Sequence, residues 1–148
     1  MIFEKKMLAG WGDMDFNSHM RNTAYLDKSG DVRMMFFSEH GFPMGEFVRL
    51  KIGPIIMKDE IEYFREVNLL DELKVTLALA GISEDGSRWL MRNEFFRPDG
   101  KPSARVSSVG GWLDLSTRRL VAAPATLLDV LKLLPQTSDF QQLASSVK

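Results

Sequence analysis

The sequence predicts an α+β fold in which a curved antiparallel sheet wraps around one long central helix. Three observations lead there. Residues 22–40 carry one apolar stripe near Tyr25, Val32 and Phe36, widened by Leu26 and Phe37. After Arg49 the apolar residues change to period two, most plainly at Leu73, Val75, Leu77 and Leu79. A sheet must cover its apolar face, and 22–40 is the only long amphipathic helix available to do so.

The elements follow in order. Residues 2–11 read as a first strand, followed by a loop rich in Asp, Asn and His. The helix over 22–40 is interrupted by Ser29 and Gly30, either a weak spot tolerated by packing or a point of close approach. Gly41 and Pro43 end it. Residues 55–67 form a strand, and Asn68 to Asp71 turn the chain into the next one. Glu84-Asp85-Gly86-Ser87 is a hairpin turn, since Asp-Gly supplies a positive φ. A strand over 88–97 meets a second turn at Pro98-Asp99-Gly100-Lys101. The strand over 103–115 contains Gly110-Gly111, which marks a bulge or a close backbone contact. Pro124 precedes a short helix, roughly 125–134, where Thr126 and Asp129 resemble a capping box. Residues 1–135 are expected to form one domain, and 136–148 a polar, frayed tail.

Composition narrows the function. The chain has 148 residues, 45% hydrophobic and 26% charged, as in ordinary globular proteins. A net charge of −1 gives no electrostatic case for nucleic acid. With no cysteine, disulfides, thiolate metal sites and cysteine nucleophiles are excluded. Two histidines, His19 and His40, argue against a histidine-rich metal site, and no metal or cofactor is expected. No apolar run approaches the ~20 residues of a membrane span. Charges at residues 4–6 occupy the place of a signal peptide's apolar run, so a cytoplasmic protein is expected.

The stretch from Trp11 to Leu26 carries the chemistry. Asp13, Asp15, Asn17 and His19 stand two residues apart and share a side if the chain is extended. Asn22 and Thr23 then open the helix. A carboxylate beside a helix N-terminus suits acyl transfer: one group attacks or activates water, and backbone N–H groups receive the developing oxyanion. Asp15 could equally cap a turn, and Asn17 could cap the helix or close an Asx-turn. Asp13 fits a structural role in the loop. Arg88, Arg92, Arg97, Lys101 and Arg105 cluster near the hairpin turns, as a solvated face or as partners for phosphates.

Trp11-Gly-Asp-Met-Asp15, Asn17-Ser-His19-Met-Arg-Asn22, Tyr25-Leu26, Arg33 and Phe36-Phe37 together resemble the hot-dog fold. The similarity is to its 4-hydroxybenzoyl-CoA thioesterase-like and acyl-ACP thioesterase group. Ile61-Glu-Tyr63, Asp71-Glu-Leu73 and Gly110-Gly-Trp112-Leu-Asp114 before Arg119 and Pro124 also fit, so the resemblance spans roughly 5–125. It implies an acyl thioesterase that hydrolyses an acyl-CoA or acyl-ACP thioester to acid and thiol. It further implies Asp15 as nucleophile or general base, Asn17 and His19 as orienting groups, oxyanion-binding amides at Asn22 and Thr23, and substrate contact at Tyr25. The acyl group is expected between helix and sheet at the interface of a homodimer or a tetramer of dimers. Two positions depart from the group: Met20-Arg21 stands where Val-Asn is usual, and Gly30 where many members have an acid. A non-catalytic acyl-thioester binding or scaffold protein is the alternative, and a hot-dog dehydratase or hydratase a more distant one.

Overall fold

A computed structural model describes residues 1–147. Its elements run β1 (Phe3–Leu8), a 3-10 turn (Trp11–Asp13), α1 (Asn22–Glu39), α2 (Met44–Leu50), β2 (Ile52–Tyr63) and β3 (Glu72–Ser83). Then come β4 (Arg88–Phe96), β5 (Pro102–Asp114), β6 (Leu120–Val121), α3 (Ala125–Leu131) and β7 (Gln136–Leu143). The sheet order is β1-β3-β4-β5-β2, with β6 on β5 and β7 on β3. Every pairing is antiparallel except β7 with β3. The sheet stays open, and β2 is an edge strand.

The predicted helix forms as one element, and its expected stripe is the buried one. Tyr25, Val32, Phe36 and Phe37 are buried, and Leu26 is half-buried. They meet the inner sheet residues: Leu73, Val75, Leu77 and Leu79 of β3, Trp89, Met91 and Phe95 of β4, and Ala104, Val106 and Trp112 of β5. Alternation along β4 is unbroken, as a sheet with one covered face requires.

Gly110 and Gly111 are a close approach rather than a bulge. A Cβ on Gly110 would lie 2.4 Å from the Trp89 ring and 2.5 Å from the Ile55 carbonyl. A Cβ on Gly111 would lie 2.6 Å from the Ser87 carbonyl. The register shift sits opposite them in β2, between Ile56 and Lys58. Trp89 can therefore pack against the backbone of β5 at Gly110, with its ring 6.0 Å from that of Trp112.

The structure adds three elements. Between Pro43 and Lys51 a short helix, α2, carries Glu46 in its first turn and Arg49 in its last, paired at 2.7 Å. Pro43, expected only to end α1, is its N-cap. Phe47 of α2 is buried, 5.8 Å from Phe37 and stacked at 6.0 Å on Trp112. Leu120 and Val121 add a short strand beside β5. Residues 136–143, expected to fray, form β7 instead. The strand reaches β3 because α3 turns the chain back, and Phe140 packs on the core. Arg92 then fixes Asp139 through two hydrogen bonds of 2.9 and 3.0 Å. The expected Thr126–Asp129 capping box is not formed: Pro124 is the N-cap of α3 and no side chain caps it.

Candidate active site

The Asp/Asn/His stretch folds into a tight loop between β1 and α1. Backbone bonds from Asp15 N–H to the His19 carbonyl (2.8 Å) and from Ser18 N–H to the Asp15 carbonyl (3.2 Å) close it. Met14 and Met20 bridge at its neck, and Ser18 turns it at φ 65°. The loop is docked on the segment joining β2 to β3. Met20 N–H donates to the Val67 carbonyl (2.9 Å), Leu70 N–H to the Ala9 carbonyl (2.7 Å), and Ala9 N–H to the Asp71 carbonyl (2.9 Å).

Asp13 faces inward and Asp15 outward. Asp13 Oδ2 accepts from the Gly10 N–H at 2.8 Å and pairs with Lys28 Nζ at 2.9 Å. Lys28, itself buried, also donates to the Leu8 carbonyl at 2.9 Å. Burial alone would raise the Asp13 pKa, but hydrogen bonds from Lys28 and Gly10 outweigh it and hold the group below its ordinary value. The structural part expected of Asp13 is thus the one it takes.

Asp15 is exposed. Its Oδ1 accepts from the backbone N–H groups of Asn17 (2.8 Å) and His19 (3.2 Å), which fixes the carboxylate. Among the described residues its Oδ2 has no hydrogen-bond partner. Asp15 borders an open cavity of about 540 Å³ together with His19, Met20, Asn22 and Tyr25. The other wall comes from the end of β2 and the residues after it: Tyr63, Phe64, Arg65 and Glu66. Asp15 also borders a second hollow, of about 480 Å³, lined by Trp11, Met14 and Leu69. Trp11 and Phe16 flank the aspartate and are exposed.

His19 Nε2 lies 2.9 Å from Glu66 Oε2, an ion pair when the ring is protonated. Tyr25 stands edge-on to Tyr63, with centroids 5.5 Å apart. Its phenol pKa is pushed up to about 12 by burial, then by Tyr63 and Asp15, so it is a neutral hydrogen-bond donor at neutral pH. Asn22 is the first residue of α1, and no side chain caps that end. The N–H groups of Asn22 and Thr23 therefore have no intrahelical acceptor.

Of the six expected site residues, Asp15, His19, Asn22 and Tyr25 border one cavity, and Thr23 stands in the first turn of α1 without lining it. Asn17 stands apart from them. Its backbone N–H holds Asp15, but its side chain is exposed and does not line the cavity. The turn at Ser18 separates it from the wall that His19 joins. Arg65 and Glu66 are additions. No motif flagged them, because the docking of the loop on 67–71 brings them to His19.

The basic residues near the hairpin turns are largely engaged. Arg92 holds Asp139, Arg97 holds Asp99 at 2.8 Å, Arg105 holds Glu94 at 2.7 Å, and Arg88 donates to Ser146 at 3.1 Å. Arg105 also borders, with Arg65, a hollow that continues from the Asp15 cavity past Tyr63 and Phe64. No group of three or more carboxylates and histidines suited to a metal ion occurs among the described residues.

One long helix embraced by an open, curved antiparallel sheet, with a carboxylate loop at the helix N-terminus, defines a hot-dog protein. The chain belongs to the thioesterase-like superfamily, whose family model matches residues 9–131. No curated protein matches it. Among solved structures it is similar to a hypothetical protein of Staphylococcus aureus in complex with CoA (TM-score 0.80, 22% identity, covering 93% of this chain and 89% of that one). It is also similar to a 1,4-dihydroxy-2-naphthoyl-CoA thioesterase from Synechocystis (TM-score 0.78, 13% identity, 89% and 96% covered). A gentisyl-coenzyme A thioesterase has TM-score 0.77 and 16% identity, with 86% and 98% covered. At these identities the structures share the fold.

Proposed function

We propose that this chain is an acyl-CoA thioesterase in which Asp15 carries the reaction. The observation behind this reading is the division of labour in the Asp15 carboxylate. Two backbone amides hold Oδ1, so Oδ2 is aimed without loss of side-chain entropy on substrate binding. Asp15 borders a cavity whose lining includes Asn22, the first residue of α1. A thioester carbonyl there would meet the N–H groups of Asn22 and Thr23 as its oxygen gains charge, a contribution of ~3–4 kcal/mol to the barrier in comparable oxyanion sites. Asp15 then attacks the carbonyl carbon, giving an acyl-aspartyl anhydride that water hydrolyses to the acid, or takes a proton from the attacking water; in either branch the C–S bond breaks and the leaving thiolate takes up a proton from water. His19, held by Glu66, orients water or the thioester beside Asp15. Tyr25 donates from the apolar side of the cavity.

CoA rather than a carrier protein is favoured by Arg65, which borders the neighbouring hollow where nucleotide phosphates need a cation; Arg105 there is already paired with Glu94. The CoA-bound neighbour and the two named CoA thioesterases of the same fold support it. The chain is read as a homodimer joined through β2, with the Asp15 cavity beside the junction, because Tyr63 and Phe64 at the end of that strand are exposed.

The test is a thiol-release screen over short, long and aromatic acyl-CoAs, followed by Asp15→Asn. The expected loss in kcat is at least ~10²-fold with melting temperature unchanged, the lower end of general-base contributions. Near wild-type turnover in a folded Asp15→Asn protein would remove Asp15 from the chemistry. Tight acyl-CoA binding without turnover of any thioester would establish the binding-protein alternative.

A further inference from the structure

One polar cluster lies away from the Asp15 loop, where α1 faces β2 and β5. Asn22, Leu26, Gly30 and Arg33 follow one another at helical spacing and form one stripe of α1. On β2, Tyr63, Ile61 and Asp59 stand opposite Ala104, Val106 and Ser108 of β5, all three of which are buried. Directly opposed residues share a face, so Tyr63, Ile61 and Asp59 look toward the helix side. The two rows meet at one end through Tyr25 and Tyr63, 5.5 Å apart. At the other end Arg33 Nη1 donates to Ser108 Oγ at 3.3 Å, and Ser108 Oγ donates to Asp59 Oδ1 at 2.6 Å. Between these ends lie Leu26 and Gly30 on α1 and Ile61 on β2.

Arg33 is underused for a guanidinium largely withdrawn from water. It has five N–H donors, and its one hydrogen bond among the described residues is to Ser108. It reaches Asp59 only through that hydroxyl. One helical turn earlier, Ser29 is buried with no partner for its hydroxyl among the described residues. On the facing β4, Trp89 lies 5.9 Å from the Arg33 guanidinium, and its buried indole N–H is likewise unpartnered. Buried polar groups without partners cost stability unless something satisfies them. Gly30 leaves room there, since a Cβ on it would stand 3.6 Å from Arg33 Nη2.

We propose that Arg33, with Ser108 and Asp59, is a polar seat that selects acyl groups bearing a hydroxyl far from the thioester. The inference rests on the acyl-thioester reading of the Asp15 cavity. The geometry sets the length. From Asn22, where the thioester carbonyl would sit, to Gly30, where the guanidinium tip lies, α1 rises roughly 12 Å. An extended chain advances roughly 3.5 Å per three bonds, so the seat is about ten bonds from the carbonyl. The charges set the chemistry. Arg33 and Asp59 sum to zero, and one offers donors while the other offers an acceptor. A neutral hydroxyl satisfies both, whereas a carboxylate would bring a second anion beside Asp59.

The experiment measures binding by calorimetry with non-hydrolysable thioether analogues of decanoyl-CoA, ω-hydroxydecanoyl-CoA and the ω-carboxy counterpart. It uses the wild type, Arg33→Met, Arg33→Lys and Asp59→Asn. The wild type should bind the ω-hydroxy analogue at least ~10-fold tighter than the plain one, because sites built to bond a hydroxyl reject its absence. Arg33→Met should abolish that preference while leaving affinity for the plain analogue equal or better. Asp59→Asn, an exposed position whose change threatens folding little, should move the preference toward the ω-carboxy analogue. Equal wild-type affinities, a preference that survives in Arg33→Met, or tightest wild-type binding of the ω-carboxy analogue would each overturn the proposal. Should Arg33→Met fail to fold, Arg33→Lys and Asp59→Asn carry the test. Selective binding without hydrolysis of the corresponding thioesters would leave the seat standing and remove the thioesterase reading. Hydrolysis without selectivity would do the reverse.

Discussion

The Asp15 carboxylate commits one oxygen to the loop and leaves the other without a hydrogen-bond partner among the described residues. Its near neighbour Asp13 has the same side chain and the opposite fate, because Lys28 reaches it from α1 at 2.9 Å. That difference is one of folded position, and residue types two apart in an extended stretch could not reveal it. Glu66 makes the same point from the other side. It follows no motif, yet it holds the His19 ring. Glu66→Gln keeps the size and weakens the hold, so turnover should fall roughly 10-fold, within the range of coupling energies between contacting residues. His19→Ala should cost more, and the double variant should lose less than the product of the two single losses. Strictly multiplicative losses in steady-state kinetics would show that the pair does not act as a unit. Asp15 was legible in the sequence because its motif is local. Glu66, Arg65 and the exposed position of the Asn17 side chain were not, since each depends on how the loop docks on residues 67–71.

At the level of elements, α1 and the strands β3, β4 and β5 follow their apolar periodicity, because burial against one another is what those patterns encode, whereas β2, expected over 55–67, runs over Ile52–Tyr63 and is mostly exposed after Ile55. α2 and β7 escaped for two different reasons. α2 has seven residues and buries a single side chain, Phe47, too little for a stripe. Its caps and its Glu46–Arg49 pair were nonetheless in plain view. In β7 an outward polar face hides the strand, and its parallel pairing depends on where α3 delivers the chain. Its end is tied to the β3–β4 turn. Burial raises the Asp85 pKa, but hydrogen bonds from Ser145, Ser87 and Ser83 outweigh it and hold the group far below the usual carboxylate range. A depressed folded pKa contributes stability above the unfolded value of about 3.9, and that contribution is lost as pH falls through the folded value. Asp85→Asn should therefore be less stable than wild type at neutral pH, with the gap closing below about pH 4. Urea titrations across pH measure this, and a gap constant with pH would disprove it. Gly110 sets the other tolerance. Gly110→Ala forces a methyl into the Trp89 ring and the Ile55 carbonyl. The expected cost is about 1–3 kcal/mol or more, read as a lower melting temperature.

For the molecule as a whole, the two sides of the sheet are unequal. One side ends in the short β1, whose Glu4, Lys5 and Lys6 discourage pairing with another chain. The other ends in the twelve-residue β2, whose Ile56, Met57 and Tyr63 are exposed. A contact through β2 alone is isologous and closes at two copies. Light scattering at micromolar concentration should give about twice 16.8 kDa, or a multiple of that pair. A mass of one chain would count against the proposed dimer. A charged substitution at Ile56 should shift the mass toward the single chain.

Lys28 has a bearing on time as well as on place. A single ammonium joins the end of β1, the 3-10 turn and the body of α1, through the Leu8 carbonyl and Asp13. The loop is thereby rigid behind and free in front. Backbone amides near Asp13 should exchange with deuterium on the timescale of global opening, while that of Phe16 exchanges within seconds. A ligand arriving at Asp15 would then meet a carboxylate already in position. The waiting would fall to the exposed ring of Phe16, which stands outside the segment that Lys28 holds.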